Sequence, residues 1–160
     1  MRTFDAPWWA AGGRALDLWM GRQTRDHQDV DVAILRADQK HLHKTFCGWD
    51  LYYATPDHRL LPYHCDRWLE VPLHGVWVRP ASDAPWLCEF LLNEHEDQQW
   101  VYGRNPAVRK PLDEFGVLAL GGVPILVAEI VLLYKAHELT EKDEADFRSV
   151  LPHLTPRRKA

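Results

Sequence analysis

The clearest feature of the hydrophobic pattern is a short run in which apolar and polar side chains alternate. Between residues 28 and 35, branched apolar side chains occupy the even positions, and Asp29 and Asp31 occupy odd positions. A period of two residues is typical of a β-strand, whose successive side chains point to opposite faces of the sheet. The pattern therefore predicts a strand with both carboxylates on one face.

The residues before this strand predict a second strand, a tight turn and a helix. An apolar run at 7–11 leads into Gly12 and Gly13, a glycine pair that indicates a tight turn. Residues 14–20 then show helical spacing of apolar side chains, and Gly21 is a typical residue for ending a helix.

The remaining pattern predicts further strands and three more helices. A helix is predicted from about Asp38 to Phe46, an apolar helix from Pro124 to about His137, and a last helix from Thr140 through Leu151. Further strands are predicted at 49–54, 75–79, 86–92 and 99–102. Because the texture changes near residue 105, we predict a core over residues 1–105 and a helical C-terminal subdomain over 106–160.

Length and charge narrow the classes of protein. A chain of 160 residues has the length of one domain, or of a compact domain with a small helical annex. Its net charge is −4, and the one basic run is 157–159 at the end of the chain. Nucleic-acid binders usually present a basic face, so we do not expect a nucleic-acid partner.

Cysteine content and hydropathy indicate where the protein works. Three cysteines with no Cys-x-x-Cys pair argue against a disulfide scaffold and favour a reducing compartment. The N-terminus does not resemble a signal peptide, and the longest apolar stretch, 123–134, contains Glu129 and is too short to cross a bilayer. We therefore expect a cytoplasmic protein without a membrane partner.

The paired carboxylates Asp29 and Asp31 are the first candidates for chemistry. Two residues apart on a strand, their backbones lie roughly 6.5–7 Å from each other on one face. Mg²⁺ is commonly held by one or two carboxylates together with substrate phosphates. An isolated pair of this kind is more often the exposed edge of a half-buried strand, so the surrounding residues decide the interpretation.

Those surroundings favour a phosphate-handling site. Gly12 and Gly13 lie between a strand and a helix, where backbone can approach a ligand closely and a helix N-terminus favours phosphate. Arg22, Arg25 and His27 lie between the glycines and the aspartates and could neutralise a departing pyrophosphate. Together these groups are what a metal-dependent nucleotidyl transfer requires.

Two blocks of sequence carry a resemblance to a known family. Trp-Ala-Ala-Gly-Gly-Arg-Ala-Leu-Asp-Leu at 9–18 is followed by Gly-Arg-Gln-Thr-Arg-Asp-His-Gln-Asp-Val-Asp at 21–31. Together they resemble the aminoglycoside nucleotidyltransferase family, in particular aminoglycoside 2″-adenylyltransferases and lincosamide nucleotidyltransferases of the polymerase-beta-like superfamily. The segments 131–136 and 142–147 resemble the C-terminal signature of the same branch.

The resemblance implies an α/β (α+β) nucleotidyltransferase fold, with a mixed sheet flanked by helices and a short helical C-terminal part. It implies Mg²⁺-dependent transfer of a nucleoside monophosphate, usually AMP from ATP, to a hydroxyl of a small acceptor such as an aminoglycoside-like antibiotic. Gly12 and Gly13 match the phosphate turn, and Asp29 and Asp31 match the metal-binding pair. Glu89 is our candidate for the third acid, as general base, metal ligand or both.

Further cationic residues are candidates for contacts to the nucleotide. Arg22, Arg25, His27, Lys135 and Lys142 are assigned to this role. For His27 the alternative is that it supports the loop around Arg25. For the two lysines the alternative is a surface charge or an ion pair within the chain.

Two departures from the family pattern leave other functions open. Six residues precede Pro7, where the family usually has a helix, and the third acid is often Asp rather than Glu. The alternatives are a nucleotidyltransferase that modifies a macromolecule, as in toxin–antitoxin systems, and a non-catalytic nucleotide-binding protein of the same fold. Because the C-terminal part is short, a homodimer could be needed to complete the substrate cleft.

Overall fold

A ten-stranded mixed β-sheet forms the centre of the computed structural model, which describes residues 1, 3–137 and 139–154. The strands are β1 (Trp8–Ala10), β2 (Asp31–Leu35), β3 (Asp50–Ala54), β4 (Leu60–Pro62), β5 (Gly75–Arg79), β6 (Cys88–Glu96), β7 (Gln99–Val101), β8 (Arg109–Pro111), β9 (Gly116–Leu118) and β10 (Pro124–Leu126). The helices are α1 (Gly12–Met20), α2 (Lys40–Thr45), α3 (Ala128–Lys135) and α4 (Glu141–Val150).

The strand order is β4-β3-β5-β6-β2-β1-β10-β9, and β7 and β8 extend from the end of β6 as a ribbon. The pairs β2/β6 and β1/β10 are parallel, and the other pairs are antiparallel. Strands β2 and β6 therefore lie in the interior of the sheet and begin at the same end.

Alternation along β2 separates two hydrophobic cores. Val32 and Ile34 are buried in a core with side chains from β3, β5, β6 and α2. Ala33 is buried on the opposite face, in a core with side chains from α1, α3 and α4. Because side chains alternate, Asp31 lies on the same face as Ala33. Asp31 is the first residue of β2.

Local signals in the sequence explain the ends of the helices. Helix α1 follows β1 after one residue and ends at Gly21, whose left-handed φ of 68° is accessible to glycine without strain. Helix α4 begins with a capping box, in which Thr140 and Asp143 exchange side-chain and backbone hydrogen bonds. The predicted stop at Gly21 and the predicted N-cap at Thr140 are confirmed.

The predicted helix starting at Pro124 is wrong over its first residues. Pro124, Ile125 and Leu126 form a strand that pairs with β1 and β9, and α3 begins at Ala128. Proline is tolerated at the first residue of a strand, and an unbroken apolar run has no period that separates a buried strand from a buried helix. Burial beside β1 decides the conformation, because Ile125 and Leu126 are almost completely excluded from solvent.

Two further predictions need adjustment. Strand β2 begins at Asp31, so Asp29 precedes the strand instead of lying within it. Residues 106–126 contribute three short strands, and β10 joins the central sheet, so the C-terminal part is not purely helical. The boundary near residue 105 stays a prediction. No helix among the described residues is long and apolar enough to cross a membrane.

Candidate active site

Asp31 and Glu89 form the centre of the candidate site. They are directly paired across the parallel strands β2 and β6, so both side chains project from the same face of the sheet. On the other face, the neighbours of Glu89 in β6, Cys88 and Phe90, are buried in the core. The sequence offered Glu89 as the candidate third acid, and parallel pairing of two interior strands places it opposite Asp31.

The electrostatics of this pair differ from those of ordinary surface carboxylates. Burial, together with the charges of Asp31 and Asp29, raises the pKa of Glu89 to about 7. Burial and the charge of Asp29 also raise the pKa of Asp31. Within the described part of the chain, none of these three carboxylates takes part in an ion pair. The site is therefore a cluster of uncompensated negative charge.

Two glycines provide the space that these carboxylates occupy. A Cβ atom on Gly12 would collide with the carboxylate of Asp31, and a Cβ atom on Gly75 would collide with that of Glu89. Gly12 also has a left-handed φ of 59°, which disfavours other residues. The carboxylate of Asp31 lies so close to the backbone of residue 12 that only glycine fits there. The sequence predicted a phosphate turn at Gly12.

The N-terminus of α1 lies beside the same carboxylates. The helix begins at Gly12, its N-cap is Ala11, and no side chain caps it. The first backbone N–H groups of a helix have no partner within the helix, and they favour a bound anion such as phosphate. The structure therefore places an uncapped helix N-terminus next to the carboxylate of Asp31.

Arg14 holds Asp29 near the site, a role that the sequence did not reveal. Its Nε donates to the backbone oxygen of Asp29 at 3.0 Å, and its Nη2 donates to that of His27 at 3.1 Å. These bonds fix the extended segment before β2 while the Asp29 side chain remains exposed. Contacts of this kind have no spacing signature, because they depend on how the loop folds back over α1.

His27 is engaged within the protein. Its Nε2 lies 2.6 Å from Oδ2 of Asp17, and its side chain is 4% exposed. A Cβ atom on Gly13 would overlap the His27 ring and the guanidinium of Arg25, so these side chains fill the space that Gly13 leaves open. This geometry favours the support role for His27 over contact with phosphate.

Arg25 and Lys135 are also partnered. Arg25 donates two hydrogen bonds to the carboxylate of Asp146, at 2.9 and 3.0 Å. Lys135 lies 2.7 Å from Oδ1 of Asp143 and 2.9 Å from Oδ2 of Asp146. These four residues therefore form one connected group of ion pairs. For Lys135, the alternative of an ion pair within the chain is the one that the structure shows.

Lys142 and Arg22 remain the candidates with no ion pair among the described residues. Lys142 is exposed, and its positive charge, after that of Lys135, lowers the pKa of Asp31 against the effect of burial. Arg22 is exposed beside a cavity of about 450 Å³ that is also lined by Arg14, Leu18 and Leu120. The structure brings Lys142 toward the carboxylates, and it places Arg22 at the opposite end of α1.

The donor set fits a hard divalent cation. Among the described residues, no group of three or more acidic, histidine or cysteine side chains is arranged so that it could hold a metal ion. Asp31 and Glu89 nevertheless offer two adjacent, unpaired carboxylates, which repel each other without a cation. Mg²⁺ typically takes one or two carboxylates and completes its octahedron with water and substrate oxygens, so this pair suits it.

Comparisons with known proteins agree with the resemblance seen in the sequence. The model of the aminoglycoside-2''-adenylyltransferase family matches residues 1–59, a range that contains the glycine pair, Asp29 and Asp31. This match confirms the predicted resemblance for the N-terminal part of the chain. A search of curated proteins found no significant match.

Solved structures extend the likeness over nearly the whole chain. The lincosamide antibiotic adenylyltransferase LnuA with lincomycin bound is 16% identical, with a TM-score of 0.59 over 91% of this chain and 86% of that chain. ANT(2")-Ia in complex with adenylyl-2"-tobramycin is 15% identical, with a TM-score of 0.57 over 97% and 83%. A solution structure of ANT(2'')-Ia is 16% identical, with a TM-score of 0.58 over 97% and 78%. The predicted nucleotidyltransferase fold is thereby confirmed.

Proposed function

We propose that this protein transfers AMP from ATP to a hydroxyl of a small antibiotic-like acceptor, in a reaction that requires Mg²⁺. The observation that carries the proposal is that Asp31 and Glu89 lie opposite each other on neighbouring strands, beside the uncapped N-terminus of α1. Neither carboxylate forms an ion pair among the described residues. The folds and activities of the adenylyltransferases to which the chain is similar support the same reaction.

The residues at the site divide the work of binding the nucleotide. Asp31 and Glu89, with Asp29 at their edge, would hold Mg²⁺, which supplies charge stabilisation to the transferring phosphoryl group when bound. The first N–H groups of α1, which no side chain caps, would bind the anionic part of the nucleotide. Lys142 is the exposed cation best placed to neutralise the pyrophosphate.

Glu89 is suited to accept the proton of the attacking hydroxyl. In the reaction, the acceptor oxygen forms a bond to the α-phosphorus, the bond from that phosphorus to the bridging oxygen breaks, and pyrophosphate leaves. Without the metal, burial and the charges of Asp31 and Asp29 raise the pKa of Glu89 to about 7, near the value at which a general base is most effective, and a bound Mg²⁺ would lower that pKa. ATP as the donor places the reaction in the cytoplasm.

The direct test is pyrophosphate release from ATP and Mg²⁺ by the full chain across a panel of hydroxylated antibiotics. We expect release that depends on the acceptor, on Mg²⁺ and on Asp31. Mass spectrometry should show an acceptor heavier by one AMP. Metal-dependent ATP binding with no release on any acceptor would contradict the proposal and favour a non-catalytic nucleotide-binding protein.

A further inference from the structure

A row of aromatic residues continues the line of carboxylates across the sheet. In successive strand pairings, Tyr52 of β3 is opposite Trp77 of β5, Trp77 is opposite Glu89 of β6, and Glu89 is opposite Asp31 of β2. Directly paired residues share a face, so all four side chains project to the same side. Trp77 is directly opposite Glu89 and lowers its pKa, which joins the aromatic row to the candidate base.

Trp86, in the loop after β5, completes an aromatic surface. Its ring centroid lies 5.5 Å from that of Tyr52 and 6.1 Å from that of Trp77, both in edge-to-face geometry. We call Tyr52, Trp77 and Trp86 the aromatic shelf. Each of the three residues is only partly buried.

The shelf belongs to neither hydrophobic core. Neither the core beneath α1, α3 and α4 nor the core on the opposite face includes Tyr52, Trp77 or Trp86, even as a peripheral member. Large aromatic side chains gain most of their stabilising energy from burial in a core. Three of them beside a reactive carboxylate, and outside both cores, are therefore better explained by contact with a ligand than by packing.

The charges around the shelf restrict which ligand it can take. Arg79 donates to Asp50 at 3.1 Å, so the acidic and basic side chains of this region compensate each other. The Arg79 guanidinium also lies 4.5 Å from the ring centroid of Trp86 and 5.7 Å from that of Tyr52. A cationic ligand would compete with Arg79 for the faces of these rings.

We propose that the aromatic shelf is the acceptor subsite, and that the acceptor is an uncharged molecule with a flat ring face, such as an aryl glycoside, rather than a polycation. This inference rests on the proposed function for the role of Glu89. With its ring on the shelf, such an acceptor presents a hydroxyl toward Glu89, because Trp77 lies next to both Trp86 and that carboxylate. The shelf thereby selects the class of acceptor and orients it.

Acceptor binding can be measured without nucleotide or metal. Ligand-observed saturation-transfer NMR on the full chain would compare phenyl β-D-glucoside, methyl β-D-glucoside and the polycationic aminoglycoside kanamycin. We expect phenyl glucoside to bind most tightly, since stacking on an aromatic side chain requires the ring that the methyl glucoside lacks. Trp86→Ala and Tyr52→Ala should each weaken its binding about tenfold.

Trp68 offers a matched control, because it is 42% exposed and lies outside the shelf. Trp68→Ala should leave the affinity for phenyl glucoside within about twofold of the wild type. Arg79→Gln should release Asp50 and increase the affinity for kanamycin. Equal binding of the two glucosides, tighter binding of kanamycin by the wild type, or no effect of Trp86→Ala would each overturn the shelf proposal.

The outcomes separate this inference from the proposed function. If phenyl glucoside binds through Trp86 but no acceptor supports pyrophosphate release, the shelf stands as a binding site and the transfer reaction fails. If pyrophosphate release requires Asp31 but Trp86→Ala changes neither binding nor KM for any acceptor, the reaction stands and the shelf proposal fails.

Discussion

The protein contains two groups of carboxylates on the same side of its sheet, and their surroundings are opposite. Asp31 and Glu89 form no ion pair among the described residues, and burial together with the charges of nearby aspartates raises the pKa of both. Asp143 and Asp146 are also buried, but hydrogen bonds outweigh burial and lower the pKa of both: Asp143 accepts from Lys135 and Thr140, and Asp146 accepts from Arg25 and Lys135. The first group is destabilising without a cation, and the second holds the fold together.

The difference shows how acidic residues of a site can be separated from acidic residues of a scaffold. A carboxylate that forms an ion pair inside the chain gains little stability from a bound cation, whereas two adjacent carboxylates without an ion pair gain stability when a cation binds. Arg25 and Lys135 both compensate Asp146, whereas Lys142 forms no ion pair among the described residues. The assignment of all three to contacts with the nucleotide stays a prediction.

The largest expected effect is on activity after removal of one charge from the uncompensated pair. Asp31→Asn should reduce pyrophosphate release by at least roughly 10³-fold, because it removes a carboxylate that, in the proposed reaction, would hold the metal at the transferring phosphoryl group. Asp29→Asn should also reduce it severely. Thermal unfolding at pH 8 should show both variants folded. A folded Asp31→Asn enzyme with near-normal turnover would refute the metal assignment.

Glu89→Gln should reduce activity by roughly 10²–10⁴-fold, the usual contribution of a general base. The same substitution should stabilise the metal-free protein. The folded pKa of Glu89, about 7, is above the usual value of 4.5, so folding favours the protonated form. Stability is therefore lost as the pH rises from about 4.5 to 7, by up to about 3 kcal/mol at pH 8. Chemical unfolding at pH 5 and pH 8 would measure the difference.

A control on the same strand should change stability with the opposite sign. Glu94 is paired with the buried Arg36, so Glu94→Gln should destabilise the protein at pH 8. Added Mg²⁺ should raise the unfolding temperature of the wild type more than that of Glu89→Gln. A Glu89→Gln variant that is less stable than the wild type at pH 8 would mean that this carboxylate is compensated after all.

These two groups also mark how far the sequence can predict the site. The glycine pair, the stop at Gly21 and the carboxylates of the Asp29–Asp31 segment depend on neighbours in sequence, and short-range patterns identify them. The partner of Arg25 is 121 residues away, so no local pattern distinguishes it from an arginine that binds phosphate. The same holds for Arg14, whose hydrogen bonds depend on the path of a loop.

The fold shows the same division between local and long-range information. Strand β5 is found where it was predicted, because its apolar pattern and its bounding residues are local signals. The strand at Pro124–Leu126 was missed, because an apolar segment becomes a strand only when an open sheet position, here beside β1, is available. The aromatic shelf was missed for a similar reason, since its members come from β3, β5 and the loop after β5.

Breaking the compensated group should affect stability more than chemistry. Asp146 is 2% exposed and accepts from both Arg25 and Lys135. Asp146→Ala should cost about 3 kcal/mol, because it leaves two partly buried cations without their shared partner. Urea unfolding at pH 7 would measure the loss, and turnover per folded molecule should change less than tenfold. Glu144→Ala, which removes an exposed helix pair with Arg148, should cost less than about 0.5 kcal/mol.

The smallest effect is the acid dependence of Asp143. Burial opposes its ionisation, but hydrogen bonds from Lys135 and Thr140 outweigh burial and lower its pKa to about 2. The folded pKa is below the usual value of 3.8, so the contribution of Asp143 is complete above about pH 4 and is lost as the pH falls toward 2.

Asp143→Asn keeps an oxygen that can accept from Thr140 but removes the charge that faces Lys135. It should therefore destabilise the protein at pH 7 by less than Asp146→Ala does, and the difference from the wild type should shrink between pH 4 and pH 2. Asp57 provides the control, because its partner Arg59 is exposed and solvent screens their pair. Urea unfolding at pH 7 should show a smaller difference from the wild type for Asp57→Asn than for Asp143→Asn. A difference that does not shrink for Asp143→Asn would mean that its loss of stability comes from altered packing of α4 rather than from the missing charge.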